Sequence, residues 1–159
     1  MTRLVYIVTE PITAFALLRG QLAHMRRAGF EVTLISAPGE LLSATGAREN
    51  VHTIAVPMVR EIDPVRDLSS LSELVRVLRR LRPDIVHAST PKAGLLGLLA
   101  ATIARVPVRV YLLRGLRLET ERGMKKQLLW ATERVASRLA HRILCVSSSL
   151  LTAYRRAGL

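Results

Sequence analysis

The chain has 159 residues, half of them apolar, which is enough for one well-cored domain and excludes two full ones. Its formal charge of +12, from 24 Lys and Arg against 12 Asp and Glu, calls for an anionic partner or surface. Nucleic acid is disfavoured in that role, because only 4% of residues are aromatic and no basic run is interleaved with stacking side chains.

Leu4 to Val8 is a continuous apolar run closed by Thr9-Glu10-Pro11, and a single helical pattern follows from about Thr13 to Ala28, stopped by Gly29. Glu31–Ser36 reads as a second strand, Pro38–Asn50 as a loop or short helix, and His52–Val56 as a third strand ended by Pro57. Leu71, Leu74, Val75, Leu78 and Leu81 at helical spacing predict a helix over Leu68–Leu81, with Arg76, Arg79 and Arg80 on its wet face. A strand over Asp84–Ala88 empties into a helix over Pro91–Arg105. Val108–Leu113 makes a fifth strand, Gly123–Ala140 a long basic amphipathic helix, Arg142–Val146 a sixth strand and Leu150–Arg156 the start of another helix. Gly94 and Gly97 let the fourth-strand helix approach the sheet rather than touch a ligand.

Apolar strands alternating with helices predict an α/β fold: one doubly wound, Rossmann-like parallel sheet of six strands in a single domain over residues 1–159. No apolar stretch reaches the eighteen or so residues of a membrane span. Glu10 and Pro11 interrupt the apolar run Leu4–Leu18, so it is not read as a signal peptide, and a cytoplasmic address is expected. From Arg105 to Arg142 there are ten Lys or Arg against three Asp or Glu. An anionic membrane surface at the inner leaflet is therefore a second expected partner, with Trp130 and Met124 of the long helix serving either as core and interface residues or as its anchor. The single cysteine, Cys145, excludes an internal disulfide, and His24, His52 and His141 share no ligand spacing with it, so no metal is expected.

In such a sheet, ligands sit beyond the carboxyl ends of the strands where strand order reverses. The order 3-2-1-4-5-6 brings three loops together there: Thr9–Thr13, His87–Lys92 and Arg114–Arg117. Thr90 suits the N-cap of the helix after the fourth strand, Pro91 its first position, and Lys92 the place where free amides converge, an arrangement that suits an anion. The candidate acceptor or anion-binding set is Thr90, Lys92, Arg60, Arg114, His87 and Thr13. His87 is either a hydrogen-bonded structural residue or a substrate contact, and Arg60 either a solvated loop cation or a phosphate ligand. Arg114 and Arg117 with Glu119 either clamp the acceptor or pair with each other.

Three stretches carry a family resemblance. They are Val56–Pro64 with Asp67-Leu68, the whole run Arg82–Gly97, and Arg114-Gly115-Leu116 with Glu119 followed by Cys145–Ser149. In this order and spacing the chain resembles the N-terminal, acceptor-side domain of a bacterial family 4 glycosyltransferase of the two-domain GT-B type. The resemblance implies a retaining transferase that moves sugar from a nucleotide-sugar donor to a polysaccharide or lipid-linked glycan acceptor, often a polyprenyl diphosphate. It also implies that a C-terminal domain, absent from these 159 residues, supplies most donor contacts. This domain is then expected to hold no cofactor of its own and to be inactive alone. Two positions depart from the family pattern: no glycine precedes Gly20 in the turn after the first strand, and Arg114 stands where many relatives have histidine. Arginine stays protonated and cannot act as a base, but it holds phosphate bidentately.

The runner-up is a non-catalytic acceptor or membrane-docking subunit of a split glycosyltransferase. A dinucleotide oxidoreductase lacks its G-x-G-x-x-G turn here, and a receiver domain lacks its acidic cluster.

Overall fold

The computed structural model describes residues 1–116 and 122–159. Its elements in chain order are β1 (Thr2–Ile7), α1 (Pro11–Leu17), α2 (Gln21–Arg27), β2 (Phe30–Ser36), α3 (Glu40–Glu49), β3 (His52–Ala55) and α4 (Pro64–Leu81). They continue with β4 (Ile85–Ser89), α5 (Pro91–Ile103), β5 (Val108–Leu113), α6 (Gly123–Leu139), β6 (Arg142–Cys145) and α7 (Ser148–Arg156). The six strands form one sheet in the order β3-β2-β1-β4-β5-β6, every neighbouring pair parallel. Strand order therefore reverses between β1 and β4, as expected from the sequence.

The pleat divides the apolar residues between two layers. Val5 and Ile7 of β1, Val86 and Ala88 of β4, and Tyr111 and Leu113 of β5 pack with α4, α5, α6 and α7. Leu4, Tyr6 and Val8 face the other way, with Val32 and Leu34, and meet Ala14, Leu18, Leu22 and Leu42 of the first three helices. The helix after β4 lies close on the sheet: a Cβ built on Gly94 would stand 2.8 Å from Tyr111 Cζ, and one on Gly97 3.1 Å from Ile7 Cδ1. Any side chain at position 94 has to displace the buried Tyr111 ring, which donates 2.9 Å to Glu133 Oε2 on α6.

Two elements differ from the sequence expectation. The helix expected over Thr13–Ala28 is two helices, α1 and α2, broken at Gly20, whose φ of +74° belongs to the left-handed region that favours glycine. The break is held from a distance. Glu49 Oε1 accepts from Gly20 N at 3.0 Å and Oε2 from Ala23 N at 3.2 Å, so the buried carboxylate caps α2. Arg48 pairs with it at 2.9 Å, donates to Phe15 O at 2.9 Å and lies over the Phe15 ring. Helix α4, for its part, starts at Pro64 instead of Leu68. Asp63 Oδ1 accepts from Arg66 N at 3.1 Å and Pro64 takes the first helical position, while Asp67 returns a carboxylate oxygen to Asp63 N at 3.3 Å.

The Glu49 cap leads to a prediction. Burial works to raise its pKa, but the two amides and Arg48 outweigh that effect and hold it below the ordinary glutamate value. Its stabilisation is thus complete above the unfolded pKa of about 4.3 and is lost as pH falls below it. Glu49→Ala orphans both amides and should destabilise by about 2–3 kcal/mol near pH 7. Urea melts should show the gap between variant and parent closing below about pH 4.

Candidate functional site

The crevice lies at the strand-order reversal. One hollow of about 370 Å³ is lined by Thr13, Arg60, Thr90, Pro91, Arg114 and Gly115, among others. A second of about 220 Å³, lined by Thr9, Glu10, Thr13, Arg60, Thr90, Pro91 and Lys92, shares four of its walls with the first. The structure thus brings together Thr13 of α1 and Arg60, Thr90 and Arg114 of three separate loops. Arg117 and Glu119 lie outside the described residues.

Thr90 stands at the N-cap position of α5, but its side chain does not cap the helix. Its backbone is strained at φ +77°, ψ 147°, and its Oγ1 shares a hydrogen bond with Thr9 Oγ1 at 2.8 Å. Thr9 does the capping across the sheet, its Oγ1 accepting from Ala93 N at 3.2 Å. This corrects the expected role of Thr90. Thr9 is a site residue that sequence reasoning passed over, although it stands in the Thr9-Glu10-Pro11 run that marks the end of β1. Pro91 has no amide hydrogen and Ala93's is taken, so α5 offers an anion less than an uncapped helix would.

Lys92 is also corrected. Its ammonium donates to Asp67 Oδ1 at 2.7 Å and to the Glu61 carbonyl, and its side chain is only 11% exposed. The charge that sequence spacing places at the mouth of α5 is balanced by the first turn of α4. Lys92 works as a strut between two helix starts, with its stem on the crevice wall.

Among the described candidate cations, Arg60 and Arg114 are left open. Neither makes a hydrogen bond or ion pair with another described residue. Arg60 also walls a hollow beside Pro11 and Gly39 and another beside Ile62 and Leu129, so it stands where four hollows meet. Arg114 is half-buried, and its Nε is shielded from solvent without an acceptor among the described residues. Burial lowers its pKa, an effect that Tyr6 partly offsets. A half-buried guanidinium gains from a phosphate or carboxylate, whose paired oxygens match its fork.

His87 sits behind this wall and lines neither hollow of the crevice. It is 8% exposed, its ring is 4.6 Å from that of Tyr6, and its Nδ1 has no partner among the described residues. Burial above all, with the Arg114 charge adding, pushes its pKa down to about 4. The imidazole is therefore neutral at neutral pH and too weak a base to hold a proton there. The expectation that it faces the crevice is corrected by register. His87 pairs with Tyr6 in mid-sheet, two residues short of the strand end.

Residues 16–159 match the family model described as a glycosyl transferase 4-like domain. The chain belongs to that family. It is 38% identical over 134 residues to the capsular polysaccharide biosynthesis glycosyltransferase CapM of Staphylococcus aureus, covering 84% of this chain and 34% of that protein. Over 100 residues it is 31% identical to the Escherichia coli UDP-Gal:alpha-D-GlcNAc-diphosphoundecaprenol alpha-1,3-galactosyltransferase, covering 62% of this chain and 26% of that one. The glycosyltransferase domain thus spans about a third or less of these curated relatives. In fold it is similar to Anabaena HepE solved with UDP and glucose, with a TM-score of 0.74 over 99% of this chain and 41% of that one at 20% identity. A solved UDP-N-acetylglucosamine 2-epimerase reaches 0.71 at 13% identity, over 96% of this chain and 45% of that one. The architecture therefore serves more than one chemistry, and the family match is what narrows it.

Proposed function

We propose that this chain is the acceptor-binding half of a retaining glycosyltransferase, which moves a sugar from a nucleotide-sugar donor to a polysaccharide or lipid-linked glycan acceptor. Arg60 and Arg114 grip the acceptor's phosphates, Thr13 and Thr90 line the crevice where its reacting end lies, and Lys92 holds the wall in place. The observation that carries this reading is that Arg114 and Arg60 line one crevice while neither has an ion-pair partner among the described residues. The relatives point the same way: one acts in capsular polysaccharide assembly and another on a diphosphoundecaprenol-linked sugar.

The donor binds chiefly to a second domain in this proposal, and the 159-residue domain alone turns nothing over. It needs no metal or cofactor of its own. A cytoplasmic position at the inner face of the membrane belongs to the same reading. It is supported by the net charge and by the absence, among the described residues, of a helix long and apolar enough to cross a bilayer.

The test is a pair of NMR titrations of the 159-residue chain. Inorganic pyrophosphate, standing in for the carrier's diphosphate, should shift amides around residues 9–13, 60, 90 and 114. UDP should produce no additional shifts attributable to its uridine. A uridine-specific footprint in this crevice would make it a donor site and overturn the proposal.

A further inference from the structure

The charged side chains around the crevice are sorted by sign. Among the described residues, the hollow of about 370 Å³ has Arg60 and Arg114 in its lining and no carboxylate. The hollow of about 220 Å³ adds one, Glu10, beside Thr13 and Thr90, and its cation other than Arg60 is Lys92, already balanced by Asp67. Glu10 also walls a hollow of about 550 Å³ that runs past the carboxyl ends of β2 and β3. There the walls include Pro11, Leu41 and Met58, and Arg60 faces three carboxylates, those of Glu10, Glu40 and Glu61. Arg60, common to all three hollows, marks the place where the sign changes.

Glu10 is uncommitted within the protein. It stands at the N-cap position of α1 with extended backbone, φ −114° and ψ 142°, yet its side chain caps nothing and has no hydrogen bond or ion pair among the described residues. The local sequence explains why. Pro11, at the first helical position, has no amide hydrogen, and the Thr13 amide is taken at 3.0 Å by the Glu10 carbonyl, which leaves only the Ile12 amide to cap. An ionised carboxylate only accepts, and its two oxygens can take two neighbouring hydroxyls while repelling a second anion. The crevice therefore separates the two ends of a glycosyl phosphate. The phosphate belongs with Arg60 and Arg114, and the uncharged, hydroxyl-bearing ring belongs on the Glu10 side.

We propose, resting on the acceptor reading above, that Glu10 selects an uncharged sugar at the acceptor's reacting end. Its carboxylate takes two adjacent ring hydroxyls in the hollow it shares with Thr13 and Thr90, while Arg60 and Arg114 hold the phosphate. A uronic acid is rejected there, because its carboxylate would meet Glu10 where the described cations are already engaged, Lys92 by Asp67 and Arg60 by the phosphate.

The experiment is an NMR titration of the 159-residue chain with methyl α-glucoside, methyl α-glucuronide and inorganic pyrophosphate. In the parent, the glucoside should shift amides around residues 10–13, 60 and 90, and the glucuronide should bind about tenfold more weakly. Glu10→Gln should weaken the glucoside about fivefold or more, because a neutral acceptor replaces an ionised one, and should close the gap between the two glycosides. Pyrophosphate should bind this variant as tightly as the parent or more tightly. Glu31→Gln removes the same charge from an exposed position at the opposite end of the sheet and should behave as the parent with every probe. Circular dichroism checks that both variants are folded. A carboxylate that merely repels anions gives another result: pyrophosphate and glucuronide tighten in Glu10→Gln while the glucoside is unchanged, and the proposal is overturned. It is overturned too if the parent binds the glucuronide as well as the glucoside, or binds pyrophosphate and no glucoside, the latter leaving the Arg60 and Arg114 reading in place. A Glu10-dependent glucoside footprint without pyrophosphate binding keeps Glu10 as a sugar ligand and sinks the phosphate grip instead. A parent that binds none of the three probes sinks both.

Discussion

Arg114→Ala should weaken pyrophosphate binding by about 10- to 100-fold, the equivalent of one or two charge-assisted hydrogen bonds. The melting temperature should stay level or rise. The two readouts move apart because Arg114 is half-buried with its Nε shielded and no partner among the described residues: the apo fold bears the cost of that burial, and a bound anion offsets it. Arg114→Lys should fall between parent and alanine variant, since lysine supplies the charge without the fork. A further readout comes from His87, whose pKa of about 4 reflects burial first and the Arg114 charge in addition. Removing that charge should raise it, visible as an upward shift in the imidazole titration. Because the folded pKa lies below the unfolded one, His87 contributes its full stability above about pH 6.5 and loses it as pH falls toward the folded value. In Arg114→Ala that loss should be smaller. Unchanged pyrophosphate affinity in this variant would remove the residue from the site.

Charge reversal at Lys92 should act on the fold first. Lys92→Glu sets two carboxylates against each other where Lys92 now bonds Asp67 at 2.7 Å in a mostly buried setting, and should cost about 3 kcal/mol or more. The swap Lys92→Glu/Asp67→Lys should recover more than half of that in a double-mutant cycle from urea melts, because the ion pair is rebuilt with its ends exchanged. Recovery falls short of complete because the Glu61 carbonyl loses its donor and Asp67 no longer serves the Asp63 amide. A Lys92→Glu protein with parental stability and no pyrophosphate binding would show instead that the ammonium serves the ligand.

Much of the site was legible in the chain because it depends on topology. Apolar runs separated by helical periods imply a doubly wound sheet, and that sheet brings the segments bearing Thr13, Arg60, Thr90 and Arg114 to one place. What the chain did not disclose were partners remote in sequence. Lys92 reads as an open cation until Asp67 is seen beside it, 25 residues back. Thr90 reads as a cap until Thr9, 81 residues away, is found in its path and already bonded to the Ala93 amide. The break at Gly20 depends likewise on Glu49, 29 residues on. The early start of α4 is a different case, since Asp63-Pro64 is a local signal that apolar spacing alone overlooks.

Hydrophobic period, strand-helix alternation and the excess of arginine were settled by the amino-acid order alone, because burial patterns and net charge are local or additive properties. The tertiary structure decided which charges are spent inside the protein and which stay available to a ligand. Lys92 is balanced by Asp67, whereas Arg60 and Arg114 are left open by the described residues. The reason is that an ion pair or hydrogen bond forms over about 3 Å of space, a separation that sequence distance does not encode.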